Sequence, residues 1–246
     1  MSKRLAIVLA AGMGKRMQSD LPKVLFPVCG RPMVHFVLDA LAGAGVERTL
    51  VVVGHQAELV QVELAGRQVE FVEQTERLGT GHAVKMCRDK LVGHDGPVLI
   101  VAGDSPLMQR ESVEQLLAEF DGARPACILG TLHKDNPAGL GRIVRYAAGR
   151  FEGIVEEKDA TDWQRQITEV NMSTYVFDGR ELIHALDLLR NDNQQREYYL
   201  TDCPGSLRRE GKDVRALPVL KPCESLSINT LDELKLVDTE MRRLGY

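Results

Sequence analysis

Paired cysteines are missing from this sequence. The five present (Cys29, Cys87, Cys127, Cys203 and Cys223) are odd in number, and no two form a Cys-x-x-Cys pair. That excludes a disulfide framework and a zinc site and leaves reduced thiols of a cytoplasmic protein as the expectation. A basic excess is missing too. A net charge of -4 argues against general nucleic-acid binding, although a few local cations suffice for a small anionic substrate. No apolar run is long enough to span a membrane, and the one that stops at Ala11 has no cleavage-site pattern after it, so it reads as a buried strand. Internal repeats, low-complexity linkers and a Gly-x-Ser-x-Gly elbow are absent. The six histidines form no catalytic grouping, which leaves a Ser–His–Asp hydrolase little support. What remains is ordinary soluble composition, 44% hydrophobic and 27% charged over 246 residues, ample for a buried core.

The first half alternates short apolar runs with amphipathic stretches. Residues 5–9, 50–53, 69–72 and 98–101 predict buried strands. Residues 33–41, a stretch from Gln56, 81–90 and 113–120 predict helices, the first with Val34, Val37, Leu38 and Leu41 on one face. Near-continuous apolar strands between helices indicate a parallel sheet covered on both faces, with right-handed crossovers. The second half changes character. Residues 142–146 and 151–156 flank Ala147-Ala148-Gly149-Arg150 and predict a hairpin. Residues 170–177 predict a further strand, and 179–189 and the region after Tyr198 predict helices. Thr230 with Glu233 forms a capping-box pattern. Leu234, Val237, Met241 and Leu244 then line one helical face, and Arg242 and Arg243 suit the helix dipole.

The first predicted strand runs into Ala10-Ala11-Gly12-Met13-Gly14-Lys15-Arg16-Met17. Small residues permit close backbone approach, successive amides in such a turn form an anion-binding nest, and Lys15 and Arg16 add positive charge. In an open α/β sheet, ligands bind beyond the carboxyl ends of strands. The loop is not a Walker A motif, because Gly14-Lys15 is followed by Arg16, nor a dinucleotide fingerprint, because Met17 stands where Gly or Ala is required. Gly-x-Gly alone fits a plain tight turn equally well. The context adds Asp20-Leu21-Pro22-Lys23, where Pro22 sets the backbone and Lys23 can reach back toward a phosphate.

The full string from Leu9 to Leu25 resembles the signature of sugar-nucleotide pyrophosphorylases, in particular the uridyltransferase half of bacterial bifunctional N-acetylglucosamine-1-phosphate uridyltransferases. The matching pattern is Leu-Ala-Ala-Gly-x-Gly-x-Arg-Met followed by Leu-Pro-Lys. The resemblance extends over nearly the whole chain. It implies a Rossmann-like nucleotidyltransferase fold, with a mixed, mostly parallel central sheet flanked by helices. One domain over 1–246 is expected, with a nucleotide-binding part at about 1–110, a hairpin-containing sugar-binding part at about 111–229 and a C-terminal helix at 230–246. UTP and N-acetylglucosamine 1-phosphate are the implied substrates and magnesium the implied metal.

Gln74-Thr75-Glu76-Arg77-Leu78-Gly79-Thr80-Gly81-His82-Ala83 is similar to the family's uracil-binding segment. Gln74 offers a donor and an acceptor to the base, and the glycines leave room for a flat ring; His82 reads as a helix-start residue. Asp104 closes the apolar run Val98-Leu99-Ile100-Val101-Ala102-Gly103-Asp104 and is a hard oxygen ligand suited to magnesium. Alone it also reads as a turn or cap residue. The resemblance assigns the metal to Asp104 and Asn229. It places Leu9, Ala10, Ala11, Gly12, Gly14, Lys23, Gln74, Gly79, Thr80 and Gly103 at the nucleotide, and Gly141, Glu156, Asn171 and Asn229 at the sugar. Arg16, Lys23 and Asp104 are the expected catalytic residues, with Arg16 and the loop amides on the β- and γ-phosphates and Lys23 on the α-phosphate. Glu197-Tyr198-Tyr199-Leu200-Thr201-Asp202 also matches and reads as structural, aromatic packing followed by a helix cap.

Three departures stand out. The family usually has Tyr where this chain has Ala102, and Asn-Thr-Gly appears here as Asn171-Met172-Ser173. The family's β-helical acetyltransferase half has no counterpart, since no hexapeptide period occurs. Acetyl transfer is therefore not expected; a monomer and a piece of a longer protein both fit. No nucleic-acid or membrane partner is expected. Two alternatives remain: the same chemistry on glucose 1-phosphate or another nucleotide, and a non-catalytic nucleotide-sugar-binding module.

Overall fold

The computed structural model describes residues 3–14, 17, 19–146, 149–226 and 228–246. The chain opens with β1 (Leu5–Leu9), a two-residue ribbon of β2 (Pro27–Val28) and β3 (Arg31–Pro32), and α1 (Met33–Gly43). Strand and helix then alternate through β4 (Arg48–Val53), α2 (Ala57–Glu63), β5 (Glu70–Glu73), α3 (Thr80–Lys85), α4 (Arg88–Leu91), β6 (Pro97–Ala102) and α5 (Arg110–Ala123). The later part holds β7 (Cys127–His133), β8 (Gly141–Arg145), β9 (Phe151–Val155), α6 (Asp162–Arg165) and β10 (Glu169–Asp178). α7 (Gly179–Asp187), α8 (Asp202–Arg209), β11 (Val214–Leu217) and α9 (Leu231–Arg243) complete it.

The main sheet has the order β11-β7-β10-β6-β1-β4-β5. Every strand of that path runs one way except β10, which is antiparallel to both β6 and β7. The mixed, mostly parallel α/β sheet implied by the family resemblance is therefore the one found. Alternation along each strand sends side chains to opposite faces. Leu5, Ile7, Leu50, Val52, Val98 and Ile100 join Leu182, Leu186 and Leu207 in one apolar layer. Ala6, Val8, Val51, Val53, Leu99 and Val101 join Val37, Leu41, Leu116 and Phe120 in the other. The hairpin β8–β9 hangs from β10; of its turn, Ala147 and Ala148 lie outside the described residues.

Three features differ from expectation. The helix expected at 81–90 is two, α3 and α4, because Cys87 N donates to Val84 O at 2.9 Å and Lys90 N to Cys87 O at 3.0 Å, bonds of three-residue span that tighten and interrupt an α-helix. β7 was not foreseen. Gly130 and the buried Thr131 interrupt its apolar run, and a Cβ on Gly130 would sit 2.9 Å from Leu220 Cδ2. β11 has no counterpart in the expectation because Arg215 breaks its short apolar run. The C-terminal capping box is present: Thr230 Oγ1 accepts from Glu233 N at 3.2 Å, and Glu233 Oε2 accepts from Thr230 N at 2.9 Å. Val237 and Met241 of α9 pack with Met17, Phe26, Val28 and Met33, but Leu244 is exposed. Among the described residues, no helix is long and apolar enough to cross a membrane.

Candidate active site

The carboxyl ends of β1 and β6 lie side by side, Leu9 opposite Ala102. Gly103 N donates to Leu9 O at 2.9 Å, and a Cβ on Gly103 would meet that same oxygen at 2.9 Å. Glycine at 103 thus lets the two strand ends close together and delivers Asp104 beside the loop that follows β1. Ala10 is held by its amide bond to Val52 O at 2.8 Å. Beyond it, the amides of Gly12, Met13 and Gly14 donate to no backbone carbonyl of the described residues, the condition for an anion nest. Arg16 lies outside the described residues.

A cleft of about 310 Å³ opens here, lined by Leu9, Ala11, Gly12, Lys23, Gln74, Gly79, Thr80, Ala102, Asp104, Ser173 and others. Ala10, Gly14 and Gly103 are not among its lining residues. Gly14 has a φ of +61°, and its missing Cβ is where Lys23 Cβ crosses the loop, 3.1 Å away. Lys23 begins a short 3-10 turn after Pro22, which has a φ of -50°. Its Nζ pairs with Asp104 Oδ2 and donates to Asn229 Oδ1 at 3.0 Å. Asn229 is held in place by its own amide bond to Glu233 Oε2 at 2.7 Å, so the α9 capping box also anchors a site residue. Two hard oxygens from distant parts of the chain therefore converge on one cation. That donor set fits magnesium, which takes one or two protein oxygens and completes its shell with phosphate and water.

Gln74, Gly79 and Thr80 of the 74–82 segment line the cleft, and another part of the chain packs against its glycines. A Cβ on Gly79 would lie 2.5 Å from Tyr198 O, and one on Gly81 2.8 Å from the same atom. The space beside Gly79 and Gly81 is filled by the 197–200 segment, stitched in by Gly81 N→Tyr198 O (2.8 Å) and Tyr198 N→Leu78 O (2.7 Å). Gln74 is buried, and its Nε2 donates to Gly79 O at 3.1 Å and to His82 Nδ1 at 3.2 Å. Gln74 thus lines the cleft while its Nε2 holds the turn, and His82 serves Gln74 as well as α3. Arg77 and Glu197, which sequence reasoning did not single out, also line the cleft.

Gly141, Glu156 and Asn171 come together. A Cβ on Gly141 would sit 3.5 Å from Asn171 Cβ and 3.7 Å from Glu156 Oε1. Burial, opposed by the Thr201 hydroxyl bond and assisted by the Asp159 and Glu197 carboxylates, holds Glu156 above the usual carboxylate range. Thr201 Oγ1 donates to Glu156 Oε1 at 2.9 Å. Thr201 precedes α8 but makes no side-chain cap bond, so the helix-cap expectation for 197–202 gives way to a contact with Glu156. No local pattern announces this, because the partners are 45 residues apart.

Asp202 beside it is pushed up to about 6, by burial first, against the Arg209 charge, and further by the Glu156, Asp192 and Asp159 carboxylates. A carboxyl raised in the folded state binds its proton more tightly there, so stability declines as pH rises from about 4 through about 6 and stays lower above. At full effect the ionised group would cost about 3 kcal/mol; solvent screening of a half-buried group reduces this to about 1–2 kcal/mol. Asp202→Asn should therefore be more stable than wild type at pH 8 and equal at pH 4, by denaturant titration. Equal stability at both pH values would refute the shift.

The doubly covered sheet, the glycine loop after β1 and the carboxylate after β6 define a nucleotidyltransferase fold. The chain belongs to the MobA-like NTP transferase domain family, whose model matches residues 6–197. It is 44% identical over 243 residues to the bifunctional protein GlmU of Streptococcus suis, covering 99% of this chain and 53% of that protein. With the bifunctional protein GlmU of Listeria innocua the identity is 46% over 229 residues, 93% of this chain and 50% of that one. The chain spans about half the length of these curated relatives. A solved UDP-glucose pyrophosphorylase complexed with UDP-glucose superposes with a TM-score of 0.76 at 14% identity, over 99% of this chain and 100% of that one, which establishes the common fold.

Proposed function

We propose that this chain is a cytoplasmic sugar-phosphate nucleotidyltransferase that converts UTP and N-acetylglucosamine 1-phosphate to UDP-N-acetylglucosamine and pyrophosphate. The observation that carries this reading is the meeting of Lys23, Asp104 and Asn229 at one point of the cleft. A glycine loop supplies amides, and the Gly141–Glu156–Asn171 group is tied to the cleft wall through Ser173, whose amide donates to Asn171 Oδ1. On this reading residues from about 1–110 hold the nucleotide, those from about 111–229 the sugar, and the chain acts as a single domain and a monomer.

A sugar 1-phosphate oxygen attacks the α-phosphorus in line; the bond from that phosphorus to the bridging oxygen breaks and pyrophosphate carries the electron pair away. The nucleophile is already an anion, so no general base is required. The task is to bring anions together and hold charge in the transition state, which is work for positioning and fixed charges. Lys23 faces the α-phosphate and the sugar phosphate, while Arg16 and the amides of Gly12 and Gly14 take the β- and γ-phosphates. Leu9, Ala10, Ala11, Gln74, Gly79, Thr80 and Gly103 shape the nucleoside side. Glu156 and Asn171 accept and donate to sugar hydroxyls beside the Gly141 backbone. Asp104 and Asn229 would hold magnesium, which neutralises phosphate charge.

The test is pyrophosphate release with magnesium and UTP, comparing N-acetylglucosamine 1-phosphate with glucose 1-phosphate. Turnover with the acetylated sugar is expected. Glucose 1-phosphate is the second reading because Ala102 and Ser173 line the cleft, where the family pattern has Tyr and Gly. No release with either sugar, from folded protein and with UTP or any other nucleoside triphosphate, would overturn the enzymatic reading and leave a binding module.

A further inference from the structure

Ser173 is held in a conformation that a serine rarely adopts. Its φ is +54°, the left-handed region that glycine enters without steric cost and other residues enter at a cost. The surroundings impose it. The β10 ladder with β7 steps from Asn171 opposite Thr131 to Thr174 opposite Gly130, so Met172 and Ser173 form a bulge with no partner on that strand. Ser173 N donates to Asn171 Oδ1 at 3.2 Å, and Thr174 Oγ1 donates to Met172 O at 3.4 Å. Regular ladder resumes on the far side, where Tyr175 pairs with Ile100 of β6. Continued by two residues, that antiparallel register sets Ser173 across from Ala102.

The bulge turns Ser173 into the wall of the cleft, together with Ala102 and Asp104. Its amide is tied to Asn171, whose Cβ faces the Gly141 position and thereby the Glu156 carboxyl. The Ser173 hydroxyl makes no hydrogen bond to any described residue. A strained residue with an unused hydroxyl, lining one cleft with Asp104 and Ala102 and tied by its amide to Asn171, has the placement of a ligand contact. We infer that Ser173 is a specificity-determining residue whose hydroxyl hydrogen-bonds a polar substituent of the acceptor sugar 1-phosphate. The inference rests on the reaction proposed above and adds a residue to its sugar side.

Two variants separate the hydroxyl from the backbone. Ser173→Ala removes the hydroxyl and keeps the strained φ. Ser173→Gly removes the hydroxyl and relieves the strain, so it folds at least as well as wild type, with a melting temperature higher by about 2–4 °C. Both variants should raise the KM for the sugar 1-phosphate by about three- to tenfold, the worth of one hydrogen bond, with the KM for UTP unchanged. Both should also shift the ratio of kcat/KM between N-acetylglucosamine 1-phosphate and glucose 1-phosphate in the same direction. A purely structural role would move the melting temperature of Ser173→Gly and leave both sugar parameters alone, which overturns the assignment. Wild-type protein that turns over while both variants match its sugar KM overturns this inference alone; folded wild type that releases no pyrophosphate overturns the reaction and this inference together.

Discussion

Asp104→Ala is expected to lower pyrophosphate release by at least about a hundredfold, equivalent to about 3 kcal/mol of lost transition-state stabilisation. Two losses combine. The carboxylate is the charged member of the only oxygen pair that meets Lys23 Nζ among the described residues, so the site loses its strongest hard ligand. Lys23, with 15% of its side chain exposed, keeps Asn229 Oδ1 as an acceptor but loses its counter-charge. Asp104→Asn keeps the shape and removes the charge, and should fall nearly as far if charge is what matters. Asn229→Ala should be milder, about tenfold, because a neutral amide oxygen is a weaker ligand and Lys23 keeps Asp104. Initial rates across a magnesium titration decide it. Raising magnesium should recover part of the Asn229→Ala deficit and little of the Asp104→Ala deficit. A near-normal rate for Asp104→Ala at any magnesium concentration would remove Asp104 from the metal site.

What was legible in the sequence were features carried by one local stretch. The runs at 5–9 in β1, 50–53 in β4 and 98–101 in β6 are apolar at every residue, so composition alone marks them as buried strands. The α9 start is written in Thr230 and Glu233, whose reciprocal bonds form over three residues. The glycine loop and Asp104 follow from strand ends, where ligands collect in such sheets. The convergence of Gly141, Glu156 and Asn171 came from the family resemblance rather than from any pattern in the residues.

What was not legible depends on distance or direction. Nothing in residues 169–178 says that the strand runs against its neighbours, because orientation is set by which elements precede it in space. β7 escaped notice because Thr131, which donates to Glu169 Oε1 at 2.7 Å, makes its apolar run look broken; its partner is 38 positions away. Arg142 is similar: it is 1% exposed, an unpromising value for an arginine. It is tolerated because Nη2 donates to Glu157 Oε2 at 2.6 Å. The packing role of Gly79 and Gly81 is hidden for the same reason, since the segment that fills their missing side chains begins more than a hundred residues later.

That packing makes Gly79 the site of a large expected stability effect. Gly79 has φ 106° and ψ 174°, a region populated essentially by glycine. Any side chain there is strained, and a Cβ would also stand 2.5 Å from Tyr198 O and 2.9 Å from Glu197 Cβ. Neither neighbour is free to withdraw, because Tyr198 O accepts from Gly81 N and Tyr198 N donates to Leu78 O. Gly79→Ala should therefore cost about 3–5 kcal/mol, backbone strain plus the separation of two paired segments. That is a large share of the stability of an ordinary domain. Gly12→Ala is the control. A Cβ there meets nothing within 4 Å, so stability should change by less than about 0.5 kcal/mol, while the methyl enters the cleft beside the amide nest and raises the KM for UTP. Denaturant titration of both variants, with the slope compared to wild type, separates the two glycines. A midpoint for Gly79→Ala equal to that of Gly12→Ala would mean that Tyr198 and Leu78 yield freely, and that the Leu78–Gly81 turn is not clamped by the 197–200 segment.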